Sequence, residues 1–201
     1  MSDEKAERVL AAALPVFMRY GYKRTTMGDI AESAGISRPA LYLIFPSKEE
    51  IFSAGLAQVF AGKVVEIRAG LGSRGTLMEK LLFALEIWCV QPFEMILASP
   101  DARDLLESGY AFAAEVVQGA FAEFETVLVE LLGPAVKAQS GVKLPAARIA
   151  HILTTAPVGF KQAAASADQL REMIAALVTM VLAGLGEAQA SSELPKERRG
   201  I

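Results

Sequence analysis

The residues best suited to do chemistry lie between positions 26 and 45, in the stretch TMGDIAESAGISRPALYLIF. This stretch has the pattern of a helix-turn-helix, two short helices joined by a tight turn. Gly35 can adopt the left-handed backbone that the turn requires, and Ala31 is small enough to let the two helices cross closely. Four apolar side chains are spaced to form the small core that fixes the crossing angle: Ile30, Ala34, Ile36 and Leu41. Because the second helix of such a motif faces outward, the chemistry it supports is hydrogen bonding and charge pairing with DNA.

That outward-facing helix begins after Ser37 and would act as the recognition helix. It would present five side chains to the outside: Ser37, Arg38, Ala40, Tyr42 and Leu43. The local charge is suitable, because residues 19–48 carry five basic and two acidic side chains although the net charge of the whole chain is −3. A local basic face on an acidic body favours binding to a DNA site over general binding to polyanions.

Residues 8–52 resemble the DNA-binding domain of the TetR family of regulators. The similarity lies in an apolar first helix that ends in Phe and Gly-Tyr, a Thr-Thr helix start, and the motifs Asp-Ile-Ala, Ala-Gly-Ile-Ser, Leu-Tyr and Phe-Pro-Ser-Lys-Glu. The resemblance implies a homodimer that binds a palindromic double-stranded DNA operator, with one recognition helix in each major groove. It also implies a pocket for a small-molecule effector among the middle helices.

Carried over position by position, the resemblance gives nine DNA-binding residues: Arg24, Thr26, Ser37, Arg38, Pro39, Ala40, Tyr42, Leu43 and Lys48. The hydroxyl and basic side chains would bind phosphates, Lys48 beside the N-terminal amides of the fourth helix. Arg38 would reach a phosphate or a guanine edge, and Tyr42 the DNA backbone or a base. The apolar members would read shape or pack on thymine methyl groups. Leu43 and Ile44 depart from the family pattern, which often has an aromatic residue and a His or Tyr there, so one or two of the usual backbone contacts are expected to be missing.

Apolar residues recur at helical spacing along almost the whole chain, and no segment keeps the alternation of a strand. The pattern predicts an all-α fold of about nine helices. Residues 1–50 would form the helix-turn-helix DNA-binding domain, residues 51–190 a ligand-binding and dimerisation domain, and residues 191–201 a flexible tail. Outside the motif, helices are predicted over 3–20, 48–69, 76–91, 92–98, 101–132, 146–166 and 168–187. Residues 70–75 are predicted as a flexible joint between the two domains, and residues 133–145, with two Pro and two Gly, as a loop.

Large aromatic and Met side chains of the middle helices are candidates for the wall of the effector pocket, because such side chains commonly line ligand cavities. They are Phe83, Trp88, Met95, Tyr110 and Phe112. The alternative is that they belong to an ordinary core. The scarcity of charge in these helices indicates an apolar or aromatic effector. The last two helices are apolar on all sides and rich in small residues, which predicts a symmetric four-helix interface between two copies of the chain.

The sequence offers little for other functional classes. Cys89 is the only cysteine, His151 is the only histidine, and no Gly-x-Ser-x-Gly motif occurs, so we expect no catalysis, cofactor or metal site. The Gly-x-Gly-x-x-Gly spacing of residues 70–75 lacks the strands that a dinucleotide site needs. The chain start lacks the order of a signal peptide, and no apolar stretch reaches the roughly 20 residues that span a bilayer.

The sequence therefore predicts a cytoplasmic transcriptional regulator, a repressor that its effector releases from DNA. Two alternatives remain open. One is a helical small-molecule binder or enzyme that keeps a helix-turn-helix without DNA binding. The other is a protein that uses its apolar C-terminal helices on a membrane surface.

Overall fold

The computed structural model describes residues 2–98, 112–138 and 144–186, and the regular secondary structure within these ranges is helical. The all-α prediction is confirmed for this part of the chain. In chain order the helices are α1 (Ser2–Tyr20), α2 (Met27–Ser33), α3 (Arg38–Tyr42), α4 (Lys48–Leu71), α5 (Leu77–Leu85), α6 (Gln91–Leu97), α7 (Ala114–Ala138), α8 (Ala146–Ala163) and α9 (Ala167–Gly184). A π-helical turn, Glu86–Val90, joins α5 to α6. None of the described helices is long and apolar enough to cross a membrane.

Five of these helices begin at a hydroxyl side chain that stands just before the first turn. Thr26, Ser37 and Ser47 each accept a hydrogen bond from the backbone amide three residues later. Thr76 and Ser166 cap α5 and α9 in the same way. At α2 and α5 the third residue of the helix is acidic and accepts from the amide of the capping residue, which completes a capping box. Hydrogen bonds between near neighbours thus fix where the helices of the motif begin.

Two hydrophobic clusters share one helix, α4. The N-terminal cluster contains buried side chains of α1 to α3 together with Ile51 and Phe52 from the start of α4. The larger cluster contains Phe60 and Ile67 from the rest of α4 and the buried faces of the helices from α5 to α9. Leu56 packs against both clusters. Because α4 is continuous, it connects the two cores rigidly.

Residues 70–75 do not separate two domains. Gly70 and Leu71 are still helical, and the turn that follows leads into α5, whose side chains pack in the same cluster as those of α4. Arg74 donates to the carbonyl of Gly70 and lies over the ring of Phe83. The prediction of a flexible joint is wrong here, because Gly70 and Gly72 keep helical backbone angles and Gly70 leaves room for the Phe83 ring of α5, which a Cβ would collide with.

Helix α7 extends further than the sequence predicts. A loop was expected over 133–145, but the helix continues through Gly133 and Pro134 to Ala138. The Pro134 ring lies on the exposed side of the helix, whereas Leu132 and Ala135 are buried. A proline inside a helix costs about 3 kcal/mol, and burial of the apolar face offsets this cost. The predicted start of this helix at residue 101 and the predicted tail 191–201 lie outside the described residues.

The π-helical turn has a cause in the sequence, Pro92. This residue has no amide hydrogen, so regular helical bonding cannot pass through it. The Gln91 amide bonds to the carbonyl of Glu86, five residues back, and the carbonyl of Ile87 accepts instead from Lys63 Nζ at 2.8 Å. Burial lowers the pKa of Lys63. The turn is therefore tied to α4 by a side chain from that helix.

Candidate nucleic-acid interface

Gly35 forms the turn between α2 and α3. Its φ of +65° lies in the left-handed region, as predicted. Its amide donates to the carbonyl of Glu32 at 3.1 Å, which ends α2. Ile30 of α2 and Leu41 of α3 are fully buried in the N-terminal cluster. The turn and this small core together set the direction in which α3 points.

The outer face of α3 and its C-terminal end expose both polar and apolar groups. Arg38, Pro39, Tyr42 and Leu43 are exposed, and Ala40 is half-buried. Arg38 Nη2 donates to Tyr42 Oη at 3.4 Å, and the guanidinium lies near the Tyr42 ring. The bond to Tyr42 raises the pKa of Arg38. A cation and a phenol are thus held together at the surface, where an arginine fork can reach a phosphate or a guanine edge.

The two hydroxyl groups predicted to bind phosphates are helix caps in the structure. Thr26 Oγ1 accepts from the Asp29 amide at 3.2 Å and donates to Asp29 Oδ2 at 2.8 Å. Hydrogen bonds from Thr26 lower the pKa of Asp29. The Ser37 hydroxyl accepts from the Ala40 amide at 3.3 Å. Because a hydroxyl both accepts and donates, Ser37 can cap α3 and still donate to a phosphate, whereas Thr26 directs its proton to Asp29.

Lys48 closes the loop between α1 and α2. Its Nζ lies 2.9, 3.3 and 3.0 Å from the carbonyl oxygens of Tyr22, Lys23 and Thr25, and 4.6 Å from the centroid of the Tyr22 ring. An ammonium group has three hydrogens to donate, so these three carbonyls match its capacity. A phosphate contact by Lys48 would have to exchange one of these bonds. In the structure, Lys48 positions the loop that precedes α2.

Two basic residues of α1, Lys5 and Arg8, lie at the same surface and were missed by the sequence reasoning. They line a groove of about 190 Å³ whose other wall is formed by residues of the motif: Ala34, Ile36, Ala40, Leu43 and Ile44. Their spacing of three positions, which puts both on one side of a helix, is the signal that could have found them. Arg24, predicted to contact phosphate, donates from Nε to the carbonyl of Tyr20 at 2.9 Å in the loop after α1.

Comparison with known proteins agrees with this geometry. The model of the family described as bacterial regulatory proteins, tetR family, matches residues 9–54, which contain the whole helix-turn-helix. The N-terminal domain belongs to the TetR family.

Individual HTH-type transcriptional regulators are similar to part of this chain. The chain is 46% identical over 50 residues to the uncharacterized HTH-type transcriptional regulator YfiR of Bacillus subtilis, a match that covers 25% of this chain and 24% of YfiR. It is 36% identical over 84 residues to the HTH-type transcriptional activator FasR of Mycolicibacterium smegmatis, which covers 42% and 38% of the two chains. The chain therefore spans less than two thirds of the length of these relatives.

A solved structure extends the comparison of fold beyond the N-terminal domain. FadR of Thermus thermophilus, a TetR-family transcriptional repressor in complex with lauroyl-CoA, has a TM-score of 0.58 and 23% identity to this chain. The superposition covers 94% of this chain and 97% of FadR. At this identity the similarity shows a shared fold.

The TetR-family domain contacts the start of α7. The ring of Phe112 stacks on Tyr22 with 5.3 Å between centroids, and Ala113 is buried in the N-terminal cluster. Tyr22 donates its hydroxyl to Glu49 at 3.0 Å. Burial and this bond raise the pKa of Tyr22. Phe112 was predicted as a pocket residue, but its aromatic partner belongs to the TetR-family domain.

The other predicted pocket residues lie in different surroundings. Trp88 is buried in the larger cluster, stacked on Phe124 with 4.4 Å between ring centroids. Phe83 lies against the turn after α4, and Met95 is exposed on α6. Tyr110 lies outside the described residues. The described part of the chain therefore does not bring these side chains together around one cavity.

An open groove of about 500 Å³ lies instead between α7 and α8. Both apolar and polar side chains line it: Ala114, Val117, Gln118, Phe121, Ala122 and Glu125 of α7, and His151 and Thr155 of α8. His151 Nδ1 lies 2.8 Å from Glu125 Oε1.

Cys89 is buried, and burial raises the pKa of its thiol to about 11, as expected for a small core side chain. Within the described ranges, no three potential metal-binding side chains come together.

Proposed function

We propose that this chain is a homodimeric transcriptional repressor that binds a palindromic operator and is released by a small apolar or aromatic effector. The observation that carries the proposal is the outer face of α3 and its C-terminal end, where exposed Arg38, Tyr42 and Leu43 project from a motif held by the Gly35 turn. The family match across this motif supports the same function. The proposed activity is binding and not catalysis.

Contacts to base edges are proposed for the exposed residues around α3. Contacts to phosphates are proposed for the N-terminal ends of α2, α3 and α4. Arg38 can donate to both acceptors on the major-groove edge of guanine. Lys48 is proposed to act by holding the loop before α2 and by adding positive charge at the N-terminus of α4, where an anion is favoured. Phosphate contacts would supply affinity and its salt dependence, and base contacts would supply specificity.

A homodimer is proposed to form through the outer faces of α8 and α9. Their inner faces fill the larger cluster, whereas Ile152, Val158 and Met180 are exposed. Five further exposed residues of these helices, outside the groove between α7 and α8, are small or uncharged: Gly159, Ala176, Thr179, Ala183 and Gly184. Such a face favours association with a second copy of the chain. In the dimer the two α3 helices must lie about 34–36 Å apart to enter successive major grooves.

Effector binding is proposed to act through α7. The groove between α7 and α8 offers an aromatic ring at Phe121 and the polar pair Glu125 and His151. The same helix begins beside Phe112, which stacks on Tyr22 of the DNA-binding domain. A ligand that favours another position of α7 would disturb this contact and change the spacing of the two α3 helices. It can shift the equilibrium only by the difference in its affinity for the two states.

DNA binding is tested by selecting fragments from a random library with the purified full-length chain and titrating the best fragment with salt. We expect a palindromic consensus, nanomolar affinity and a steep loss of affinity with salt. Arg38→Ala should weaken binding by about 1–3 kcal/mol and relax the base preference. The control Lys137→Ala, which removes a positive charge at the far end of α7, should bind as the unmodified chain does. If no sequence is enriched, the proposed function is refuted.

Release by an effector is tested separately on the selected operator. The panel contains apolar and aromatic compounds and, in addition, lauroyl-CoA, an amphipathic molecule with an apolar acyl chain and the ligand in the Thermus thermophilus FadR structure. A compound that weakens operator binding, and does so less in Phe121→Ala, supports the mechanism. If no compound acts, the release mechanism is rejected while DNA binding stands. The relative FasR is named an activator. If transcription of a reporter gene falls when the regulator is deleted, this chain activates transcription and does not repress it.

A further inference from the structure

Leu43 is the most exposed large apolar side chain in the described part of the chain, with 89% of its surface accessible. It directly follows α3, and Pro39 and Ala40 lie one turn earlier on the same side of that helix. We call these three residues the apolar stripe of α3. A leucine left in water forgoes the free energy of burial. A binding surface that covers Leu43 would therefore gain affinity from this contact.

Positive charges border the apolar stripe on both sides. Arg38 lies beside it on α3, and Lys5 and Arg8 of α1 line the groove that Ala40 and Leu43 also line. The major groove of B-DNA is about 12 Å wide and is bordered by the phosphates of the two strands. The apolar stripe and its neighbouring cations complement such a groove, because Lys5 and Arg8 can meet a row of phosphates while Arg38 and the stripe meet base edges.

We infer that Leu43 recognises thymine by contact between its methyl groups and the C5-methyl group of that base. The inference deepens the proposed DNA-binding function and rests on it. A leucine side chain has no hydrogen-bond donor or acceptor. Among the four bases, only thymine presents a methyl group in the major groove. Leu43 thus selects a base through apolar contact, whereas a polar side chain at this position would select one through a hydrogen bond.

The test is a double-mutant cycle between the protein and its selected operator. Each consensus thymine is replaced in turn by deoxyuridine, which lacks only the C5-methyl group, and binding is measured for the unmodified full-length chain and for Leu43→Ala. At one symmetry-related position the unmodified chain should lose about fourfold in affinity per half-site, the amount expected for one buried methyl group. Leu43→Ala should bind the thymine operator more weakly and show no further loss with deoxyuridine.

Two variants serve as matched controls. Leu43→Met keeps an apolar side chain and should still prefer thymine to deoxyuridine. Val65→Ala shortens another exposed apolar side chain, on α4 and away from the motif, and should respond as the unmodified chain does. The inference is overturned if Leu43→Ala loses as much with deoxyuridine as the unmodified chain, or if no thymine position responds. In both cases the proposed DNA-binding function would still be supported, because an operator sequence had been selected. If no operator is enriched at all, the proposed function fails, and the inference fails with it.

Discussion

Replacing glycine by alanine at two positions, Gly35 and Gly62, adds the same methyl group but is expected to change the stability of the chain in opposite directions. Gly35 has a φ of +65°, and a Cβ added to it would meet no atom within 4 Å. Gly62 lies inside α4, is exposed, and also has no atom within 4 Å of an added Cβ. Replacing either residue by alanine therefore creates no clash, so the backbone conformation alone decides the outcome.

The expected magnitudes follow from the two conformations. Alanine in the left-handed region costs roughly 1–2 kcal/mol, so Gly35→Ala should destabilise the chain by about that amount. Alanine inside a helix is roughly 0.5–1 kcal/mol more favourable than glycine, so Gly62→Ala should stabilise it. Asparagine tolerates the left-handed region better than alanine, so Gly35→Asn should lie between Gly35→Ala and the unmodified chain.

Urea unfolding followed by far-ultraviolet circular dichroism measures these differences, because it reports the helices of both clusters. The expected order of midpoints is Gly62→Ala, unmodified chain, Gly35→Asn, Gly35→Ala, from most to least stable. If Gly35→Ala is as stable as the unmodified chain while Gly62→Ala gains stability as expected, the left-handed turn between α2 and α3 is refuted. Since that turn directs α3, the same variant should also bind the operator more weakly.

Three further predictions concern the core, the π-helical turn and the first cap of the motif. Trp88 is the only tryptophan and is 4% exposed, so its fluorescence should be blue-shifted and resist quenching by acrylamide. Emission like that of free tryptophan would contradict its placement. Lys63→Met removes the donor to the Ile87 carbonyl and should cost about 1–3 kcal/mol in urea unfolding; an unchanged midpoint would mean that the bond is not needed. Hydrogen bonds from Thr26 hold the pKa of Asp29 below 3.8, so its stabilising effect is complete at pH 7 and is lost as the pH falls through that lowered value. The difference in unfolding free energy between the unmodified chain and Asp29→Asn should therefore narrow below pH 3.8, and a constant difference down to pH 2 would disprove the assignment.

The helix-turn-helix could be predicted because its determinants are neighbours in the sequence. Gly35 is required by its own backbone angle, and Thr26 and Ser37 bond to amides three residues away. Each of these signals acts within one turn of helix, so a short stretch of sequence contains both the cause and its effect. The π-helical turn, which the sequence analysis did not predict, also has a nearby cause, since Pro92 lies two residues beyond it.

Contacts between distant segments could not be predicted in this way. Phe112 has the spacing of a core or pocket residue, and nothing near it in the sequence points to Tyr22 as its partner. Lys48 has the position of a phosphate ligand, but its three carbonyl partners lie more than twenty residues earlier. Pro134 suggests a break in the chain, and only the burial of residues beside it against other helices explains why α7 continues. Tertiary packing decides these cases.

The continuity of α4 also restricts which changes of chain length the protein can accept. Phe52 and Phe60 belong to different clusters on one uninterrupted helix. Inserting a single residue between them would rotate one cluster against the other by about 100° and move it by about 1.5 Å along the helix axis. Substitutions at exposed positions of α4 would be tolerated, but insertions and deletions would not. Hybrid proteins that combine this N-terminal domain with another helical domain must therefore be joined within α4 in an unchanged helical register.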